Sequence, residues 1–314
     1  MQQIFDSVIP IFALILIGWI AVKTRYLPEN HAGVLSAFVY RVGLPVLLMR
    51  TIANADFTGT DPLSIWAVYF SSIAIAWIVA SLTARFGFRR DRLSAVVIGL
   101  SGTFSNLALL GVPLISHVAG DRALVAISVV LAIHMPVLMV TATVLAERAK
   151  AREGGIVSAP GKLATTVGYN LATNPLVIGL IIGGIMNFTG VEPAAPLAAI
   201  ISMLAGIAAP VALVSIGMTL AQYKVAGNAG LFSAITVIKL ALLPGLVYAL
   251  SHLFGLPQPV MAGLVLGASC PAGVNAFLLA DQFGTGRNIA ASTITLTTIL
   301  GVVTVSLWVL LLGY

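Results

Sequence analysis

The chain has 314 residues, of which 59% are hydrophobic and 8% are charged, and its mean hydropathy is +1.07. Soluble domains carry about 25% charged residues, so this composition excludes a soluble enzyme with an ordinary polar surface. Apolar runs of about twenty residues recur along the chain, and a helix of that length spans the hydrocarbon core of a bilayer. The composition therefore predicts an all-α polytopic membrane protein.

The net charge of +6 does not indicate binding to nucleic acid. Lys and Arg accumulate in the cytoplasmic loops of membrane proteins, which explains a basic balance without a nucleic-acid partner. The single cysteine, Cys270, excludes an intramolecular disulfide and disfavours a cysteine-based metal site. No cofactor is predicted.

Turn-like and charged interruptions divide the apolar runs into ten predicted spans. The first half of the chain, 1–146, contains five of them, a polar basic segment at 147–164 is predicted to be a cytoplasmic linker, and 165–314 contains the other five. The predicted spans are 4–22, 32–50, 63–84, 94–118, 123–146, 165–187, 195–221, 229–254, 258–281 and 288–312. No removable signal peptide is predicted at the N-terminus.

The loops on the two sides of the predicted membrane differ strongly in their number of basic residues. Eleven of the 16 Lys and Arg residues fall on one side of the predicted membrane and three on the other, while Arg41 and Lys239 fall inside spans. The positive-inside rule places the eleven in the cytoplasm and both termini outside it.

The two halves match each other at an offset of 165 residues. Pro10, Pro28 and Pro45 are followed at that offset by Pro175, Pro193 and Pro210. Because each half has five spans, an odd number, a second copy of the same fold enters the membrane from the opposite side. The sequence thus predicts two inverted five-helix repeats, an architecture typical of secondary transporters.

The ninth predicted span contains residues that a continuous helix disfavours. Cys270, Pro271, Gly273 and Asn275 lie within six positions of each other in an apolar run. Proline removes a backbone donor and clashes with the preceding turn. This pattern predicts a broken helix, whose free backbone groups are tolerated at membrane depth only against protein or a water-filled cavity.

The fourth predicted span, which corresponds to the ninth, shows a similar cluster. Its stretch "GTFSNLALLGVPL" contains Ser105, Asn106, Gly111 and Pro113. Interrupted spans in corresponding positions of two halves are the best sequence pointer to a transporter binding site. Half-helix N-termini favour an anion, and the amides of Asn106 and Asn275 can bind a ligand or the open backbone.

Three charged residues are further candidates for substrate binding or coupling. Arg41 and Lys239 are predicted near the middle of spans two and eight, where a cation is costly and a functional role is the default hypothesis. A carboxylate substrate could pair with them, but Arg41 could also reach an interface and Lys239 could link helices. Asp281, at the end of span nine, could bind a proton or a sodium ion or could be an interfacial residue. Neither His117 nor His134 belongs to a metal-binding pattern.

Five motifs resemble those of the auxin efflux carrier family, which contains bacterial carboxylate permeases and plant PIN-type exporters. They are "NLALLGVPL", "NPLVIGLIIG", "PVALVSIGMTL", "KLALLPGL" and "CPAGVNAFLLADQFG", in the order in which they occur. The resemblance covers nearly the whole chain and implies crossing, proline-broken fourth and ninth helices, elevator-like alternating access and small organic anions as substrates. It carries site roles to Asn106, Pro113, Pro271 and Asn275.

The plant exporters have a long cytoplasmic loop that this chain lacks, so the bacterial members are the closer comparison. They imply a protein of the bacterial cytoplasmic membrane. The substrates implied are mono- or dicarboxylates such as malonate or malate, or auxin-like acids.

The alternative within transport is a sodium-coupled organic-anion symporter of the bile-acid carrier type. The absence of an acidic residue in the middle of the broken spans disfavours it. An intramembrane enzyme would need paired aspartates or a serine with a base, which the spans do not offer, and paired broken helices favour alternating access over a channel. The coupling ion, proton or sodium, and a homodimer are left open.

Overall fold

The computed structural model describes residues 8–55, 61–152, 169, 172–223 and 225–314. This part of the chain is almost entirely helical. In chain order the helices are α1 (Ile9–Lys23), α2 (His31–Ala53), α3 (Pro62–Gly87), α4 (Arg92–Ser101), α5 (Leu107–Val118), α6 (Gly120–Arg152), α7 (Pro175–Thr189), α8 (Ala195–Leu220), α9 (Ala229–Leu253), α10 (Gln258–Ser269), α11 (Val274–Gln282) and α12 (Arg287–Leu311).

Six of these helices, α2, α3, α6, α8, α9 and α12, are long and apolar enough to cross a membrane. Large apolar side chains lie exposed along them and along the shorter apolar helices, including Ile17, Ile185, Met203 and Val303. Such exposure is expected where a helix faces lipid. The prediction of an all-helical multi-pass membrane protein is confirmed. The predicted start of span one at Ile4 and most of the predicted linker lie outside the described residues.

Polar caps fix where several helices begin. The Asp61 carboxylate accepts hydrogen bonds from the backbone N–H groups of Leu63 and Ser64 at the start of α3. The bond from the Ser64 hydroxyl, followed by these two backbone bonds, holds the pKa of Asp61 below its usual range. Asn174 and Asn228 cap α7 and α9 in the same way. Each cap satisfies N–H groups that lack a partner within the helix.

Three helices contain a π-helical turn just before a proline. The turns Val39–Gly43, Leu107–Gly111 and Ile238–Leu242 end two residues before Pro45, Pro113 and Pro244. Proline has no N–H and its ring clashes with the carbonyl four residues earlier, so a wider turn there relieves the clash and lets the helix continue. Each of these prolines therefore lies inside a helix that continues through it.

The helices pack into two groups. Bundle one consists of α1, α2, α7 and α8, in which α1 packs against α8 and α7 packs against α2. Bundle two consists of α3–α6 and α9–α12, with α10 against α6 and α9 and with α3 against α4 and α9. The two bundles meet mainly where α2, α7 and α8 contact α5 and α6.

Glycines allow the backbones of bundle one to touch. A Cβ atom at Gly18 or Gly217 would collide with the carbonyl oxygen of Val214 or Ile15 across the α1–α8 contact. In the α2–α7 contact, Gly183 lies against the carbonyl of Met49 in the same manner. Small residues are the usual means by which membrane helices approach closely, because van der Waals contact drives their association.

The Gly217 contact predicts a stability difference within one helix. Gly217→Ala should lower the free energy of unfolding by about 1–3 kcal/mol, the typical cost of overpacking, because the new methyl group meets the Ile15 carbonyl. The control is Gly206→Ala in the same helix, where a Cβ meets nothing within 4 Å. Thermal unfolding of the purified variants, followed by tryptophan fluorescence, measures both. Equal unfolding temperatures would show that α1 and α8 are not held in contact.

Candidate functional site at two interrupted helices

Two helix interruptions lie within the stretches that the sequence singles out. The first separates α4, which ends at Ser101, from α5, which begins at Leu107. The second separates α10, which ends at Ser269, from α11, which begins at Val274. Both are deeply buried, since Ser105, Cys270 and Ala272 are each at most 1% exposed.

The two interruptions form backbone hydrogen bonds with each other. The Asn106 N–H donates to the Pro271 carbonyl at 2.9 Å, and the Gly273 N–H donates to the Phe104 carbonyl at 2.8 Å. This is an isolated antiparallel β-bridge between Ser105 and Ala272. An unpaired backbone group at membrane depth is costly, so each interruption supplies partners that the other needs.

Helix α12 supports the bridge from one side. The hydroxyl of Thr297, which is fully buried, accepts a hydrogen bond of 3.0 Å from the Ala272 N–H. A Cβ atom at Gly301 would lie 3.2 Å from Cγ of Pro271, so α12 packs closely over the second interruption. The position of Pro271 is thus fixed by neighbours as well as by its own ring.

Lys239 connects both interruptions. Its side chain is 0% exposed, and its Nζ donates to the Ser105 hydroxyl at 2.9 Å and to the Ala268 carbonyl at 2.6 Å. Ser105 belongs to the first interruption and Ala268 to the end of α10. The geometry favours the helix-linking role for Lys239, one of the two alternatives that the sequence leaves open.

Asn106 and Asn275 are half-buried at the starts of α5 and α11. Among the described residues, the Asn106 amide has no side-chain hydrogen bond, and the Asn275 amide has only a long contact of 4.0 Å to the Met135 sulfur. The first N–H groups of a helix also lack partners within it. Each interruption therefore presents an amide beside the positive end of a half-helix, an arrangement suited to an anion.

The other predicted site residues divide into two groups. Cys270 and Gly273 lie in the second interruption, where the buried Cys270 thiol donates to the Leu266 carbonyl and a Cβ at Gly273 would lie 2.9 Å from the Phe104 ring. Gly111 and Pro113 lie beyond the first interruption, inside α5.

The expectation that a proline breaks the fourth span is wrong. The helix stops at Ser101 and resumes at Leu107, so Pro113 lies in the resumed helix, just after its π-helical turn. The break instead coincides with Gly102 and with Thr103, whose hydroxyl bonds back to the Gly99 carbonyl at 3.0 Å. In the ninth span, Pro271 does lie inside the break.

Arg41 and Asp281 lie outside the two interruptions. Arg41 is exposed on the π-helical turn of bundle one, and its neighbour Tyr40 donates to the Asn174 side chain at 3.5 Å, at the start of α7. Asp281 is exposed and forms an ion pair of 2.9 Å with Arg287. Among the described residues, neither side chain forms a hydrogen bond or ion pair with Lys239 or with the residues of the β-bridge.

Several residues at the interruptions were not predicted from the sequence. Tyr69 and His134 are buried beside Phe104, with ring centroids of His134 and Phe104 4.9 Å apart and those of His134 and Tyr69 6.0 Å apart. Thr297 is the third. The run of Ser and Thr residues at 292–298 could have indicated a polar role for Thr297. An aromatic residue in an apolar helix gives no comparable sign of a role at the site.

A cavity of about 390 Å³ lies between the two bundles. Of the predicted site residues, only Pro113 lines it. Bundle one contributes residues from α1, α2 and α8, which are Pro10, Ile11, Leu14, Leu47, Arg50, Thr51, Ala205, Ala209, Pro210 and Leu213. Bundle two contributes Pro113, Ser116, His117, Asp121 and Leu124. Its wall therefore changes if one bundle moves against the other.

No group of three or more His, Cys, Asp or Glu side chains in the described residues could hold a metal ion. The polar groups at the interruptions are amides, hydroxyls, carbonyls, the Cys270 thiol and the Lys239 ammonium. This chemistry is suited to binding a solute.

Comparison with known proteins identifies the family. Residues 3–309 match the model of a family described as "Membrane transport protein". The chain belongs to this family. It is the auxin efflux carrier family that the five motifs indicate, and the resemblance is confirmed.

Two relatives of this membrane transport protein family align along almost their full length. One, from Rhizobium meliloti (strain 1021), is named "Putative malonate transporter" and is 28% identical over 310 residues, covering 98% of this chain and 95% of its own. An "Uncharacterized transporter" of Methanothermobacter thermautotrophicus is 24% identical over 306 residues and covers 96% of each chain.

A third match is partial. The "Lysosomal cholesterol signaling protein" of Mus musculus is 27% identical over 114 residues, which are 36% of this chain and 13% of that protein. Together the family and its full-length relatives identify the protein as a membrane transporter, not an enzyme.

The bond from Ala272 to Thr297 predicts a loss of stability on removing one hydroxyl. Thr297→Val keeps the shape but leaves the buried Ala272 N–H without a partner, which should cost about 1–3 kcal/mol. Thr298→Val is the matched control, since the hydroxyl of this neighbouring, buried residue bonds only to the Ile294 carbonyl of its own helix. We expect a lower unfolding temperature for Thr297→Val than for Thr298→Val. The reverse order would remove Thr297 from the support of the bridge.

Proposed function

We propose that the protein is a secondary transporter of small organic anions, mono- or dicarboxylates such as malonate, which bind where the two interruptions cross. The observation that carries this proposal is the β-bridge between Ser105 and Ala272. It joins two half-helix N-termini inside the protein and leaves the amides of Asn106 and Asn275 beside them. Helix N-termini and amides do not favour a cationic ligand.

An anionic substrate agrees with the chemistry of the crossing. The N-termini of α5 and α11 carry partial positive charge, the asparagine amides can donate to a carboxylate, and the Lys239 side chain donates to Ser105 beside them. The name of the Rhizobium meliloti relative points to malonate as the first substrate to test.

We further propose that the chain forms ten membrane spans arranged as two inverted repeats, 1–146 and 165–314. The observed helices support the offset of 165 residues. Shifting α1 by this offset gives 174–188, where α7 is Pro175–Thr189, and shifting α6 gives 285–317, where α12 is Arg287–Leu311. Shifting α4 gives 257–266, where α10 is Gln258–Ser269.

Two contacts within bundle one support the repeat independently. The same offset converts the contact of Gly18 with Val214 into the contact of Gly183 with Met49. Gly18 of the first half corresponds to Gly183 of the second half, and Val214 of the second half corresponds to Met49 of the first. A two-fold relation between the repeats produces this exchange. The antiparallel direction of the β-bridge agrees with repeats of opposite orientation.

We propose an elevator-like movement of bundle two, which contains the crossing, against bundle one. The support is the cavity between the bundles, because both contribute to its wall. With both termini outside the cytoplasm, as the distribution of Lys and Arg predicts, the exposed lining residues Arg50 and Asp121 face the outer side. A location in the bacterial cytoplasmic membrane is part of the proposal.

Malonate should raise the unfolding temperature of the purified protein, because a ligand that binds only the native state stabilises it by mass action, by about 2.7 kcal/mol at a hundred times Kd. Proteoliposomes loaded with malonate should show counterflow of radiolabelled malonate. Asn106→Ala and Asn275→Ala should each lose both responses while remaining folded.

The control for the asparagine variants is Asn187→Ala. Asn187 is also half-buried, but its amide donates to the carbonyls of Ala53 and Ala55 within bundle one. This variant should lose some stability and keep its transport. Normal counterflow in both Asn106→Ala and Asn275→Ala would place the substrate elsewhere.

The cavity predicts where a bulky residue blocks movement. Ala209→Trp places an indole in the cavity between the bundles and should slow counterflow without preventing folding. Gly206→Trp is the control, because the same helix has open space at that position. If both variants transport at the normal rate, the closing of this cavity is not a step of the cycle.

A further inference from the structure

Lys239 is a buried cation without an acidic partner. The side chain is 0% exposed, and within the described part of the chain no carboxylate lies within 4.0 Å of its Nζ. An ammonium at membrane depth is costly unless other groups stabilise it. Its stabilising contacts are two oxygen atoms, the Ser105 hydroxyl and the Ala268 carbonyl.

The end of α4 needs no such cation. Its last carbonyls are satisfied by the chain that follows, since the Gly102 N–H donates to Ile98, and the Thr103 and Phe104 N–H groups donate to Leu100. Because the following residues donate hydrogen bonds to these carbonyls, the C-terminus of α4 needs no positively charged side chain.

The end of α10 is built differently. Pro271, two residues after the helix ends, has no N–H to donate, and both the Ser269 hydroxyl and the Cys270 thiol donate to a single carbonyl, that of Leu266. The Ala268 carbonyl is left for Lys239, which donates to it at 2.6 Å. The negative end of this half-helix is thus closed by a side chain from another helix.

We propose that the Lys239 ammonium is a resident cation that occupies the place of a bound alkali-metal ion at the crossing. This inference rests on the proposed function and defines its coupling: the positive charge that lets an anion bind is covalently attached, so transport needs no sodium. Carbonyl and hydroxyl oxygens are the ligands that replace the hydration shell of a monovalent cation. Truncating Lys239 should therefore create a site for such an ion.

Only the second of the two proposed repeats has this buried lysine. The residue 165 positions before Lys239 is Ala74, so the first repeat offers no lysine at the corresponding position. This difference matches the C-termini of α4 and α10, because only α10 is followed by a proline, which has no N–H to donate to the last carbonyls. One ammonium thus serves both interruptions through Ser105 and Ala268.

Two substitutions of Lys239 separate its charge from its volume. Lys239→Ala removes the ammonium and leaves room for an ion between the freed oxygens. Lys239→Met removes the charge but fills the space with an unbranched apolar chain. Unfolding temperatures of wild type and both variants are measured in sodium, lithium, potassium and choline chloride at one ionic strength.

We expect the wild type to unfold at the same temperature in all four salts. In choline, both variants should unfold several degrees lower. Sodium or lithium should restore part of this loss in Lys239→Ala and none in Lys239→Met. Selective stabilisation of the wild type by sodium, an unchanged Lys239→Ala in choline, or an equal response of both variants to sodium would each overturn the inference.

A transport measurement on the wild type keeps the test independent of folding in the variants. Malonate counterflow should be equal when choline replaces sodium, and a requirement for sodium would overturn the inference. If the wild type transports no malonate in any salt, the proposed substrate fails, while the unfolding temperatures still decide the role of Lys239.

Discussion

Backbone groups freed by a broken helix must find partners inside the protein, because lipid offers none. Here each of two broken helices supplies hydrogen-bond partners to the other, through the bonds of Asn106 to Pro271 and of Gly273 to Phe104. The arrangement of bundle two follows from this exchange. Helix α12 supports the bridge through Thr297, and α9 supplies Lys239 to the carbonyl that proline leaves open. The crossing is therefore held by several elements at once, while its two asparagine amides stay available.

The two bundles differ in how they are held together, and the difference fits their proposed roles. In bundle one, glycines such as Gly18 and Gly217 bring the backbones of two helices into direct contact. Bundle two is organised around polar bonds at the crossing. The bundles touch each other less extensively and enclose a cavity between them. Movement is easiest at the boundary with the fewest packed contacts, since interfaces can take up discrete alternative arrangements.

Hydropathy and the positions of Pro and Gly predicted much of this fold, including that the fourth and ninth spans are both interrupted. They failed at Pro113, because a π-helical turn accommodates a proline that the sequence pattern reads as a break. Nor did the pattern show that Arg41 is exposed on a π-helical turn. Which oxygens Lys239 reaches could not be derived either. Hydropathy predicts that the lysine lies near the middle of a span, but its partners lie 134 and 29 residues away in sequence.

A fixed ammonium on the bundle proposed to move has an electrical consequence. Lys239 belongs to α9, so an unloaded carrier would shift one positive charge through part of the membrane field when it reorients. A full crossing of 100 mV by one elementary charge is worth ~2.3 kcal/mol. A bound monoanion would cancel this charge and a dianion would reverse its sign. Membrane voltage would then drive the empty and the dicarboxylate-loaded carrier in opposite directions, and a monocarboxylate-loaded carrier in neither.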